Sequence, residues 1–499
     1  MGPPLERRGA GRMMLAALLL SADPFLIERI DTPEGVVAEV GGIDADAQGR
    51  VWACFHHGEV CVLEDNAWRT FATGLHDPLG LLVREDGSVV VMQRPELTEL
   101  VDVDGDGQAD EYNTLCDDFG LSGNYHEFNF GPVEDDEGHL YFALNTASNG
   151  AGVRHEKRGT FTLDGRDGRM YASVPWRGWV MKLAPDGTMA PFASGLRSPN
   201  GLGFDHEGRL WTIDNQGDWI GTSPLYHLEA GQHYGHPASL VWRDGFAGKP
   251  LDRSAAELDA LRQLPAGVFP QGTMANSPCD PIVIPESWGP LAGDLLIGEM
   301  NHERICRAMV QEVRGRTRAT ITTMIDGGGL RLGNNRLAFA EDGTLWVGHT
   351  DHGWTGAKGI TKVTPTGEPF LAFTTCDLTT DGFALSTTRS LTEEELAKAN
   401  VTVRRFRYNY HVTYGSEQYE QAMVEATLER EDSGLRLRLS ELQPWFVYEL
   451  RFEGLPLVGD VLVAQVHEPV EGPVPPRPKP YTPTELREAE AAREAFLSR

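Results

Sequence analysis

The chain has 499 residues, too many for one ordinary hydrophobic core, so more than one domain is expected. With 73 acidic against 44 basic residues its formal net charge is −29, which argues against nucleic-acid binding through clustered Lys and Arg. Glycine (56) and proline (31) are plentiful and long amphipathic helical patterns almost absent, which points to an all-β protein with many turns.

At the start, Arg7, Arg8 and Arg12 precede the apolar run Met13–Leu20 and the small residues Ser21 and Ala22. That order matches an export signal over residues 1–22 and predicts a periplasmic or extracellular protein. A false start followed by a buried apolar segment is the alternative. The run is too short to span a bilayer and no other segment is apolar enough, so no membrane span is expected in the mature chain.

From residue 23 onward one pattern recurs: a polar turn ending in glycine, then an apolar strand. It reads Asp46-Ala-Gln-Gly-Arg-Val-Trp52, Glu85-Asp-Gly-Ser-Val-Val-Val91, Asp136-Glu-Gly-His-Leu-Tyr-Phe142, Asp205-His-Glu-Gly-Arg-Leu-Trp211 and Glu341-Asp-Gly-Thr-Leu-Trp-Val347, with a degenerate copy at Leu291–Gly298. About six units of this kind predict a six-bladed β-propeller over residues 23–368, with long loops at 146–176 and 237–290. Beyond Pro369 the alternation in Val401–Tyr410, Leu435–Leu439 and Val447–Phe452 predicts a small Ig-like β-sandwich over residues 369–468. Residues 469–499 read as a Pro-rich linker and a charged tail with a short helix, ordered weakly or not at all. The six cysteines contain no Cys-x-x-Cys pair. Cys54 and Cys61 fall on adjacent strands, where a bridge and two buried thiols both fit.

Several constellations can carry chemistry. Asp102, Asp104, Asp106 and Asp110 alternate around glycines, with the carbonyl at Gln108, as in a calcium-binding loop; a solvated acidic hairpin is the alternative. His126 enters a strand where a general base could stand, or where a histidine only braces a loop. Arg197, in Gly195-Leu-Arg-Ser-Pro-Asn-Gly201, offers a planar cation for a carboxylate. Asn215, Gly217 and Asp218 supply oxygens for a second calcium. Arg331, Asn334, Asn335 and Arg336 cluster before the last repeat, and Asp351-His-Gly-Trp354 follows it. A cleft lined by Trp179, Trp219 and Trp354 would suit a sugar.

The words around these residues resemble the soluble quinoprotein glucose/sorbosone dehydrogenase superfamily over roughly residues 70–365. They are His126–Tyr141, Gly195–Gly201, Gln216–Asp218 and Leu228–Pro237. Gly80–Tyr112, Asn276–Pro278, Gly293–Arg307 and Thr364–Phe383 are similar to exported dehydrogenase-like propellers of planctomycete-type bacteria. Many of those carry a Cys-x-x-Cys-His haem module that this chain lacks, so a separate electron acceptor is implied. The resemblance implies oxidation of a sugar or aldose hydroxyl with pyrroloquinoline quinone and calcium. It casts His126 as base, Arg197 as quinone contact, and Gly217 and Asp218 as calcium holders. Asn301 stands where the family has a quinone-contacting lysine, and Arg336 is nearest to its arginine pair. Ser198–Phe204 also resembles the regucalcin/gluconolactonase turn, in which the Asn ligates a divalent cation for lactone hydrolysis. A non-catalytic carbohydrate- or protein-binding propeller is the third reading.

Overall fold

The recurring turn is held by its own aspartate. Asp205 Oδ1 accepts the backbone N–H groups of Glu207 and Arg209, both at 3.0 Å, and Oδ2 accepts Arg209 Nε (2.6 Å) and the Trp211 indole N–H (2.7 Å). Asp46 makes the same contacts with Gln48, Arg50 and Trp52. Asp135 binds Glu137, His139 and the Tyr141 hydroxyl. One carboxylate therefore closes a tight turn and pins an aromatic residue on the strand that follows. The glycine that ends the turn takes the left-handed conformation it alone adopts cheaply, with φ of 73° at Gly208.

The computed structural model of the chain describes residues 24–352, 356–431 and 434–498. The expected export signal over residues 1–22 and Trp354 lie outside the described residues.

Among the described residues, six four-stranded antiparallel units follow one another around an axis. Their inner strands are Val40–Ala45, Leu81–Val83, Asn129–Glu134, Pro199–Phe204, Pro278–Val283 and Asn334–Phe339. Each packs against the next, and the sixth against the first. The ring is closed by Phe25–Ile30, which pairs antiparallel with Gly359–Pro365 as the outer strand of the sixth unit. This is a β-propeller, and the units are called blades 1 to 6 in chain order. At the axis the backbones come very close: a Cβ at Gly80 would lie 1.5 Å from the Gly131 carbonyl oxygen, so only glycine fits. The stretch 237–290, read from sequence as loop, also holds the outer strand of blade 4, Gly267–Phe269, and the inner strand of blade 5. The first is only three residues long and the second is interrupted by prolines, so neither shows alternation.

The C-terminal region forms two further sheets. Phe373–Leu378, Gly382–Thr387, Gly434–Leu439 and Ala426–Glu431 make one; Val461–Val466, Phe446–Glu453, Asn400–Tyr408 and Gln418–Val424 make the other. They enclose a core that includes Phe373, Phe383, Leu437, Tyr448 and Phe452. Each large apolar side chain buried there contributes about 1.5–3 kcal/mol. The second sheet is not free-standing. Val461–Val466 pairs with the outer strand of blade 5, Arg316–Asp326, through Thr320↔Ala464 and Ile321↔Val463, giving one eight-stranded sheet. Phe406, Val447 and Val463 share a core with Trp211, Phe269 and Ile321 of the propeller.

The tail is tied down by residues distant in sequence. Trp445 Nε1 donates to the Pro475 carbonyl (3.0 Å), the Tyr481 hydroxyl donates to Glu420 (2.6 Å), and Arg477 pairs with Asp259. The helix Pro483–Leu497 starts at a Thr482–Glu485 capping box. Its Arg493 pairs with Glu417. All six cysteines are free and buried; Cys54 and Cys61 are not bridged, and their thiols face Gly80 and Thr70 instead.

Asp205→Ala would leave the buried Trp211 N–H and two turn amides without an acceptor. It is expected to destabilise the protein by about 2–3 kcal/mol in chemical denaturation.

Candidate active site at the propeller axis

The loops that enter the inner strands and leave the second strands all open at one end of the axis. There they enclose a cavity of about 310 Å³. His126 comes from the loop before blade 3, Arg197 and Asn200 from the entry to blade 4, and Asn335 from the start of blade 6. His56 follows the second strand of blade 1, Asn145 that of blade 3, and His352 that of blade 6. Arg169, from the insertion in blade 3, and Tyr414, from the sandwich, complete one side of the mouth. The walls mix carboxamides (Asn145, Asn200, Asn276, Asn335) with aromatic rings (Tyr125, Phe128, Phe130, Tyr414).

His126 is oriented for proton acceptance. Its Nδ1 lies 2.8 Å from the Thr146 carbonyl, an acceptor only, so Nδ1 carries the proton and Nε2 the lone pair. Burial, and then the positive charge of Arg197, push its pKa down to about 4, so the ring is neutral near pH 7.

Arg197 is positioned from three sides. The fully buried carboxylate of Asp214 accepts the backbone N–H groups of Arg197 (2.7 Å) and Ser198 (2.6 Å). Arg197 Nε donates to Asp218 Oδ1 at 3.2 Å, and its guanidinium lies over the Tyr414 ring. Gly217 makes room for it, since a Cβ there would sit 1.9 Å from Arg197 Nε. Arg169 packs on the same tyrosine, 4.6 Å from the ring centre, and its guanidinium is in no ion pair among the described residues. Two cations thus flank one aromatic ring beside His126.

Asp218 does not face this cavity as a free ligand. Burial opposes its ionisation, but the hydrogen bond from His236 and the charge of Arg197 outweigh it and hold the carboxyl well below its usual range. The Gly217 carbonyl accepts the Gly415 N–H at 2.9 Å. The oxygens of Gly217 and Asp218, expected to hold a second calcium, are engaged in seating Arg197 and the sandwich loop.

Arg336, expected as a cofactor contact, is engaged by protein partners. It lies beneath the cavity floor, donating to the carbonyls of Gly41 (2.9 Å) and Leu79 (3.0 Å) and to Asn200 Oδ1 (2.8 Å), over the face of Phe130. The oxygen that the lactonase turn would give to a cation already accepts one hydrogen bond from Arg336. Met300 lines the cavity, and the backbone N–H of the next residue, Asn301, donates to Glu299. Asn334 is buried and donates to Glu299, His302 and Arg304 carbonyls, and Arg331 donates to Lys358. Trp179 is buried in the core of blade 3 and Trp219 packs on Tyr410 under the sandwich, so neither lines the axial cavity.

The acidic loop lies on the outside of blade 2. Donor oxygens of Asp102, Asp104 and Asp106 come within 4.8 Å of one another, a set suited to a hard cation. Asp110 accepts the loop's own backbone N–H groups of Val103 (2.8 Å) and Asp104 (3.2 Å). Gln108 donates its N–H to Asp106.

Sequence reasoning singled out His126, Arg197 and the Asp351–Trp354 stretch that holds His352, and missed Arg169, Tyr414, His56 and Asp77. Arg169 and Tyr414 sit in segments without periodicity. His56 and His352 follow second strands, a position common to both but visible only once the strands are placed.

Residues 26–242 match a family model described as a domain of unknown function, DUF7133. No curated protein matches the sequence. Among solved structures, a putative glucose dehydrogenase of Thermus thermophilus aligns with a TM-score of 0.49 and 17% identity, covering 68% of this chain and 100% of its own. The pyrroloquinoline-quinone-bound aldose sugar dehydrogenase of Streptomyces coelicolor aligns with a TM-score of 0.48 and 13% identity, covering 68% and 98%. A carbohydrate-active enzyme of family AA12 from Trichoderma reesei aligns with a TM-score of 0.49 and 14% identity, covering 70% and 97%. The strand topology, and not these likenesses, assigns the fold.

Because Arg336 serves the floor and not a ligand, Arg336→Lys is expected to lower stability by about 3 kcal/mol in denaturant unfolding. An ammonium cannot reach the separate acceptors that the planar guanidinium serves.

Proposed function

We propose that the chain is a sugar-oxidising dehydrogenase whose substrate is a sugar-sized polyhydroxylated molecule bound in the axial cavity. The observation that carries this is His126, a neutral imidazole with its proton fixed on Nδ1 and its lone pair on Nε2 at the cavity wall. Nε2 takes the proton from a substrate hydroxyl as hydride leaves the same carbon. Asn145, which lines the cavity, supports a hydroxylated ligand: its Nδ2 donates to Ser198, and its buried Oδ1 has no partner among the described residues. The aromatic rings give the sugar faces to pack on.

Of the groups the resemblance implies, the cavity suits pyrroloquinoline quinone through Arg169 and Arg197, which are the residues that would hold its carboxylates. When bound, the quinone supplies the hydride acceptor. The oxygens of Gly217 and Asp218, which the resemblance gives to calcium, already take hydrogen bonds from Gly415, Arg197 and His236, and no step is routed through calcium. The carboxamide-rich wall equally favours simple glycan binding, which is the second reading.

The test is quinone binding by the full chain followed by a sugar screen with a dye acceptor. Quinone is expected to bind at or below tens of micromolar, and Arg169→Ala to weaken it at least tenfold without changing the melting curve. His126→Gln is expected to keep binding but lose about 10²–10⁴ in turnover. No quinone binding and no oxidation, with sugar binding retained, would leave the glycan-binding reading in place. The base is active when neutral, so kcat/KM should be flat near pH 7 and fall as pH drops through about 4. The stability contributed by this lowered pKa is present above about pH 6.5 and is lost as pH falls toward the folded value.

The loop Asp102–Asp106 is proposed as a calcium clip on blade 2, supported by its three convergent carboxylates. Calcium is expected to raise the melting temperature, and Asp104→Ala with Asp106→Ala to abolish that rise. An identical melting curve with calcium and with chelator would refute it.

A further inference from the structure

Three side chains with metal-ligating atoms meet on the cavity wall without serving the chemistry above. His56 Nδ1 and His352 Nε2 each lie 3.4 Å from the same oxygen, Asp77 Oδ1, and the donor atoms of all three fall within 4.8 Å of one another. They come from blade 1, the loop before blade 2, and blade 6, with the two imidazoles stacked 4.2 Å apart. His56 and Asp77 are buried, and His56 and His352 line the cavity.

Around this oxygen His56 Nδ1 stands at hydrogen-bond distance, while His352 Nε2, equally near, completes no hydrogen bond among the described residues. Glu39 Oε2 lies 2.8 Å from His352 Nδ1, so in a neutral ring the proton stands there and the Nε2 lone pair faces a carboxylate oxygen. Among the described residues, His352 Nε2 and the nine-tenths-buried His56 Nε2 have no hydrogen-bond partner. The other oxygen of Asp77 is fully used, accepting Arg94 (2.8 Å) and Arg154 (3.1 Å). Two acceptors turned toward each other without a proton between them repel, unless a cation stands between. Ligand atoms about 2.1 Å from a tetrahedral ion stand about 3.4 Å apart, which is the spacing seen here.

We propose that His56, Asp77 and His352 bind a divalent transition-metal ion of the zinc type, with its fourth position open to the axial cavity. Glu39 orients His352 from behind, as carboxylates do for metal-bound histidines. The ion class follows from the donors. Two neutral imidazoles suit zinc, cobalt or copper, whereas calcium needs six or more oxygens. Arg94, Arg154 and Lys358 already balance Asp77 and Glu39, so binding rests on the nitrogens. A substrate hydroxyl, a carbonyl or water is the natural fourth ligand. The site stands on these residues alone and holds whether or not the cavity oxidises sugars.

The experiment is titration of the tag-free, chelator-treated full chain with zinc and with cobalt(II), followed by calorimetry and by cobalt visible absorption. One ion per chain with micromolar or tighter Kd and intense tetrahedral cobalt bands is expected. His352→Gln, at a partly exposed position, should abolish the bands, and Glu39→Gln should weaken binding about 10–100-fold. Asp104→Ala with Asp106→Ala should leave the bands intact, separating this site from the acidic loop. If His56→Gln fails to fold, His352→Gln and Glu39→Gln still decide the matter. Absence of tetrahedral bands, or bands unchanged in His352→Gln, overturns the proposal. So does a His352 ring that NMR shows protonated on both nitrogens at pH 7 with zinc present, since an imidazolium bridging Glu39 and Asp77 would then replace the ion.

Discussion

All six blades meet at one buried guanidinium. Arg336, from blade 6, donates to the backbone of blades 1 and 2, to Asn200 of blade 4, and rests on Phe130 of blade 3. Its charge lowers the otherwise burial-raised pKa of Asp280 in blade 5. A charge this deep is tolerated because neutral acceptors surround it on every side. It closes the axial channel, with one mouth lined by strand backbones and the other by loops. Without that floor the inner strands would have no common partner, and the cavity above would have no base.

The candidate site is built as a consequence of the floor. Asn200 is held by Arg336 below, and Asp214 clamps the amides of Arg197 and Ser198 just before it. Arg197 is then seated by Asp218 and by the space that Gly217 leaves. The sandwich participates, since Tyr414 pairs with Asp218 along the backbone and presents its ring to both arginines. The C-terminal region is thus part of the mouth of the cavity and not an appendage.

Two kinds of carboxylate run through the propeller, with different work. Those in the turns, such as Asp46 and Asp205, sit near the surface, carry hydrogen bonds from arginine and tryptophan, and are held below their usual range despite burial. Those near the axis, such as Asp44 and Asp214, are desolvated more than they are stabilised, and burial raises Asp44 to about 6. Both kinds accept backbone N–H groups. The first kind closes a turn, and the second joins neighbouring segments: Asp44 reaches Val83 of the next blade at 2.8 Å.

What the sequence by itself determined is local: the turn clamps, the strands that follow them, and the His126 and Arg197 words at blade entries. Those depend on residues within a few positions, Asp205 with Trp211 for example, so their spacing is written in the chain. The all-β class followed from the many glycines and prolines and the near absence of helical patterns, and the propeller from the repetition. The tertiary structure alone decided which side chains meet. Arg336 and Gly41 are 295 residues apart, and His352 and Glu39 are 313 apart. Ring closure brings them together, and no period or local composition encodes that distance. The same holds for the sandwich strand added to blade 5, because β-pairing is carried by backbone groups that every sequence possesses.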